Sequence, residues 1–124
     1  MLTQPEIIAF IPTLDPNLSK SFYRDILGLS LISADKYGLQ LEGKGSSLRI
    51  ATVREFTPYP FTVLGFKVLD IKNEVNELRR HGVTFEVYDS LNQDEMGIWA
   101  APSGVMVAWF KDPDGNLLSL TQHG

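Results

Sequence analysis

The sequence predicts an α+β protein made of two similar β-α-β-β-β halves, and three observations carry that prediction. Short apolar, β-prone stretches surround just two segments of helical period. Each helical segment opens on a Leu-Asp pair and closes on a glycine: Leu14-Asp15 returns 55 residues later as Leu69-Asp70, and Gly28 returns 54 residues later as Gly82. Between the halves, Arg54 to Pro60 has neither period and carries two prolines, so it reads as a linker.

In the first half, Ile7 to Pro12 is a short apolar run, expected to be a strand buried on both faces. Asp15 or Asn17 can cap the helix that follows, whose apolar stripe is read as Leu18, Phe22, Ile26 and Leu27, with Gly28 as its stop. Three strands are expected next, Leu29 to Ser33, Tyr37 to Glu42 and Ser47 to Val53. The short connections between them suit antiparallel neighbours.

The second half repeats the plan. Phe61 to Val68 reads as a strand, Asp70 as the cap of a helix containing Val75 and Leu78, and His81-Gly82 as its end. Thr84 to Tyr88 is expected as a strand and Asp89 to Met96 as a polar loop, while Gly97 to Ala101 is compatible with strand or loop. Val105 to Phe110 and Leu117 to Thr121 form a hairpin around Asp112-Pro113-Asp114-Gly115-Asn116, where Pro113 presets φ and Gly115 permits a positive one. The organisation expected is one compact domain over 1–124, with modules at 5–53 and 61–122 and a linker at 54–60.

At 124 residues a single core can bury roughly two-thirds of the unfolded chain's surface. A net charge of −4 argues against non-specific binding to nucleic acid. With no cysteine, thiolate metal sites, disulfides and cysteine nucleophiles are excluded. No leader pattern or membrane-length apolar run is present, so a cytoplasmic location without membrane attachment is expected.

Thr13 to Leu29, with its Asp15, Ser19 and Ser21, Phe22-Tyr23 and Leu27-Gly28-Leu29, resembles the first helix signature of the vicinal oxygen chelate superfamily, the glyoxalase, bleomycin-resistance and extradiol dioxygenase group. Phe110 to Leu117 resembles that superfamily's closing hairpin. The resemblance implies two tandem β-α-β-β-β modules whose curled mixed sheets enclose a cavity. It also implies, in the enzymes of the group, a divalent metal held by side chains on the first strand of each half, late in the first half and on the last strand.

Those positions, carried over by register, fall on Ile8, Val63 and Ser119, with Arg49 or Ala51 for the late first-half ligand. None of these side chains is a usual donor for a divalent metal. A metal site would have to be rebuilt from Glu6, Glu42 or Glu95. His81 belongs to a helix end and His123 to the terminal tail, so no hydrolase triad is suggested either. Gly43-Lys44-Gly45 reads as a turn rather than a phosphate loop, Asp112 and Asp114 as turn residues rather than paired acids, and Arg79-Arg80 as complements to a helix dipole.

The expected function is therefore metal-independent binding of a small apolar or aromatic molecule without a cofactor, and the resemblance to the bleomycin-resistance branch implies a homodimer. The candidate ligand contacts are Ile8, Phe10, Tyr37, Arg49, Val63, Met96, Trp99 and Ser119, with Arg49 as an anchor for an anionic group. In the superfamily register, Gly65 and Leu117 share the cavity-facing side. Trp99 suits either a flat or cationic ligand or a dimer interface, and Trp109 is read as core. Two rival functions stand beside this: a metal-dependent lyase, isomerase or dioxygenase with atypical ligands, and a protein-interaction module with a filled cavity.

Overall fold

A computed structural model describes all 124 residues. The chain falls into two compact units, Met1–Thr57 and Pro58–Gly124. Each holds one four-stranded mixed sheet, neither sheet closes on itself, and the strand plan is that of two tandem β-α-β-β-β modules.

In the first unit, β1 (Ile8–Thr13), β2 (Ser30–Asp35), β3 (Gly38–Gly43) and β4 (Ser46–Thr52) are ordered β1-β4-β3-β2. β1 runs parallel to β4, and the other pairs are antiparallel. Alternation places Ile11, Leu39, Leu41, Leu48 and Ile50 on a buried face. The opposite face is open: Phe10 is 64% exposed and Ile8 48%. β1 is thus buried on one face and not, as its uniform apolar run suggested, on both.

The first helix departs from the expected stripe. Asp15 caps α1 (Pro16–Lys20) by accepting from the Asn17 and Leu18 amides, and the chain then continues as a π-helical turn, Ser21–Ile26. The buried side chains are Ser19, Phe22 and Tyr23, whereas Leu18 points away and is 57% exposed. Ser19 can be buried because its hydroxyl donates to Thr13 Oγ1 at 2.7 Å.

The π turn has a simple origin. Asp15 to Gly28 spans thirteen positions, while the matched Asp70 to Gly82 spans twelve. The extra residue is absorbed by a wider turn in which the Leu27 amide bonds to Phe22 O, five residues back. Both helices then end alike, at a glycine with positive φ, +81° at Gly28 and +88° at Gly82.

In the second unit, β5 (Leu64–Lys67), β6 (Trp99–Ala100), β7 (Met106–Lys111) and β8 (Leu117–Gln122) are ordered β5-β8-β7-β6, with β5 parallel to β8. Asp70 caps α2 (Ile71–Arg80) through the Asn73 amide, and Ile71, Val75 and Leu78 are its buried side chains. Leu118, Leu120, Ala108 and Phe110 form the buried sheet face. His81 closes the helix with Nδ1 2.9 Å from Glu77 O, as its place at the end suggested.

The expected strand Thr84 to Tyr88 does not form. It keeps one bridge, Phe85 to Phe110, and beyond that the side-chain amide of Gln93 takes the place of a ladder, donating to Glu86 O and accepting from the Tyr88 amide. The Asp112 to Asn116 turn is held by its own side chains: Asp112 accepts from the amides of Asp114 and Asn116 and from Asn116 Nδ2. Asp112 is therefore a buried turn lock.

Candidate functional site

Because α1 and α2 cover one face of each sheet, the residues left for recognition lie on the other. In the first unit the register sets Ile8 opposite Ser47, and Phe10, Arg49 and Gln40 in one row across β1, β4 and β3. Arg49 Nη2 donates to Gln40 Oε1 at 3.4 Å, a long bond that leaves most of the guanidinium donors to solvent. No carboxylate pairs with Arg49, so this apolar face carries an uncompensated positive charge. Of the candidate contacts in this unit, Ile8, Phe10 and Arg49 are brought together. Tyr37 sits apart in the turn between β2 and β3, exposed, with Lys36 Nζ 5.1 Å from its ring centre.

In the second unit the open face is aromatic. Gly65, Ser119 and Trp109 form one cross-strand row, and Val63 continues β5 through its amide bond to Leu117 O. Trp99 and Trp109 lie with ring centres 6.2 Å apart, tilted by 33°, and Tyr88 meets Trp109 edge-on at 5.6 Å. Trp109 Nε1 donates to Thr62 Oγ1 at 3.2 Å, which fixes the indole in place. Trp109 was read as core, but Ala108 and Phe110 are the residues of β7 that turn toward α2, so alternation sends Trp109 to the open side.

Ser119 is only 6% exposed, and its neighbour Gly65 has no room for a side chain: a Cβ there would lie 2.9 Å from Ser119 Oγ. Burial raises the Tyr88 phenol above its ordinary range, and the nearby Glu86 carboxylate adds to the effect. Glu86 itself pairs with Lys111 at 3.5 Å. Tyr88, Glu86 and Lys111 line a small cleft of about 230 Å³ with Tyr59 and Leu117. Sequence reasoning missed Tyr88 and the side of the sheet on which the half-buried Trp109 lies, and the parity of β7 was the signal that could have found the latter. Met96 lies away from this face, beside Arg79 and Phe85.

A divalent metal does not fit these residues. Neither Ile8 nor Val63 has a donor atom, Arg49 brings a positive charge, and Ser119 offers a single neutral hydroxyl. Nowhere do three or more His, Asp or Glu side chains gather in a group that could hold an ion. No helix is long and apolar enough to cross a membrane.

Residues 7–120 match the model of the Glyoxalase/Bleomycin resistance protein/Dioxygenase superfamily. No curated protein matches the sequence. Among solved structures, an antibiotic binding protein from Streptomyces sp. CB03234, TnmS3, is similar with a TM-score of 0.76 and 24% identity, over 100% of this chain and 99% of that one. A putative glyoxalase family protein from Bacillus anthracis aligns over 100% of both chains, with a TM-score of 0.74 and 20% identity. A lactoylglutathione lyase from Agrobacterium tumefaciens has a TM-score of 0.74 at 14% identity, over 97% of this chain and 94% of that one. At these identities the likeness to solved structures is one of fold.

Proposed function

Since this chain belongs to the glyoxalase/bleomycin resistance protein/dioxygenase superfamily, we propose that it is a metal-independent binding protein for a small apolar or aromatic molecule of antibiotic-like character. The observation that carries this reading is the substitution pattern on the open faces: Ile8, Val63 and Ser119, with Arg49 or Ala51, stand where the superfamily's enzymes are expected to hold metal ligands. The second unit's face adds a pair of tryptophans held in place by Thr62 and Tyr88. A flat ligand gains area from such rings at little entropic cost, and on the first unit's face Arg49 offers a charge partner for an anionic group. The antibiotic binding described for TnmS3 supports the same reading on a similar scaffold.

In this proposal the contacts offered by the first unit are Ile8, Phe10 and Arg49, with Tyr37 for ligands that extend to the β2–β3 turn, and those offered by the second are Val63, Trp99, Ser119 and Trp109. The protein acts as a cytoplasmic homodimer and needs no cofactor. Because the two tryptophans are the only ones in the chain and both lie on the open face, a bound aromatic ligand alters intrinsic fluorescence directly. A panel of aromatic antibiotics is expected to contain a compound that changes this emission saturably at about micromolar concentration. Arg49→Gln is expected to weaken an anionic member about tenfold, the loss of one charge-assisted bond. A panel in which no compound perturbs either tryptophan, together with turnover of a carbonyl or catechol substrate, would contradict the proposal.

A further inference from the structure

Met96, which the sequence groups with Trp99, opens onto a different feature. A pocket of about 330 Å³ lies wholly within the second unit, lined by residues that include Arg79, Gly82, Phe85, Val87, Glu95 and Met96. That volume is at the lower end of the range for small-molecule sites, about 300 Å³ and above. The pocket belongs to the helix side of the sheet, because the Phe85 ring meets Phe110, a residue of the buried face, at 5.4 Å. It is therefore separate from the tryptophan face.

Its wall is irregular backbone, yet firmly held. Gln93 bonds the backbone of Glu86, Tyr88 and Gly97, and Asp94 Oδ1 accepts from the amides of Met96 and Ile98. Gly97 has φ +83°, and a Cβ there would crowd Phe85 at 3.3 Å, so the close approach of the two walls depends on glycine. Such fixed walls lower the ordering cost of binding. At its rim Val87 is 74% exposed, an aliphatic surface left to solvent. Arg79 and Glu95 bring opposite charges, and neither takes part in an ion pair.

A simple anion would answer Arg79 and be opposed by Glu95, and a simple cation the reverse. A zwitterion with an apolar group answers both charges and the aliphatic wall. We propose that this pocket is a second ligand site, independent of the open-face site, for a small apolar zwitterion of the size of a free aromatic or branched-chain amino acid.

The test is an NMR titration of the full chain with L-phenylalanine, beside 3-phenylpropionate, which lacks the ammonium, and phenethylamine, which lacks the carboxylate. Saturable shifts are expected at the amides of Gly82, Phe85, Val87 and Gly97, with a dissociation constant of about millimolar. Both analogues, and the variants Arg79→Gln and Glu95→Gln, are each expected to bind about fivefold more weakly, as fits a solvent-exposed charge pair. The proposal is overturned if these amides show no saturable shift, if the shifts fall on the indole N–H signals of Trp99 and Trp109 instead, or if the singly charged analogues bind as well as L-phenylalanine.

Discussion

The two modules share a strand plan and the same helix punctuation, yet they differ in two places. The first helix spans one residue more between cap and stop and takes it up as a π turn, whereas the second is regular. The open faces differ more deeply: the first carries Ile8, Phe10 and a lone Arg49, the second Trp99, Trp109 and Tyr88. Topology tolerates an inserted residue because Asp15 and Gly28 still define the ends of the element. The faces the helices leave uncovered carry no such constraint, and there the modules have no need to match.

The largest effect expected separates the two faces. Phe110, fully buried, and Phe10, 64% exposed, are the same side chain on opposite sides of their sheets. Phe110→Ala should cost about 3–5 kcal/mol in urea denaturation, and Phe10→Ala less than about 1 kcal/mol, the range of exposed positions. Equal costs would mean that the first sheet's open face is covered in solution, which would sharpen the homodimer proposal.

A smaller effect compares the helix ends. Gly28→Ala and Gly82→Ala both place a Cβ at positive φ with nothing within 4 Å, so the cost is backbone strain alone, about 1 kcal/mol each. Asp15→Ala and Asp70→Ala should each lose about 1 kcal/mol by stranding helix amides. Matched losses in the two modules would support the equivalence of these landmarks. A loss confined to the second would show that the Asn17 and Leu18 amides are satisfied without Asp15.

The smallest effect concerns Tyr88. Its phenol keeps its proton above the ordinary value of 10, so the stability it contributes is complete below that pH and is lost as pH rises through the folded-state value. The Tyr88 step, assigned in ultraviolet titration by its loss in Tyr88→Phe, should lie above 10. Trp109→Ala, which removes the ring packed against it, should lower that step.

Much of the fold was legible because its markers are local. A capping aspartate, a glycine at positive φ and the Asp112 to Asn116 turn each follow from the chemistry of a few neighbouring residues. What escaped depends on distant partners. Leu18 fits a helical stripe as well as Ser19 does, and only Thr13, which receives the Ser19 hydroxyl, decides which is buried. Thr84 to Tyr88 has strand composition, but Gln93 captures its backbone. The candidate positions were legible as a set of substitutions, and the register brings Ile8, Phe10 and Arg49 to one face and Val63, Ser119 and Trp99 to another. Met96 lies off both, because Asp94 and Gly97 turn the chain before β6.

The central claim is that the superfamily's metal chemistry has been exchanged for binding through side chains that cannot hold an ion. Elemental analysis of protein purified without chelator, with thermal melting repeated in added Mg²⁺, Mn²⁺, Ni²⁺ and Zn²⁺, tests it most directly. Substoichiometric metal and an unchanged melting temperature are expected. About one divalent ion per chain, with stabilisation that grows with metal concentration as linkage requires, would contradict it.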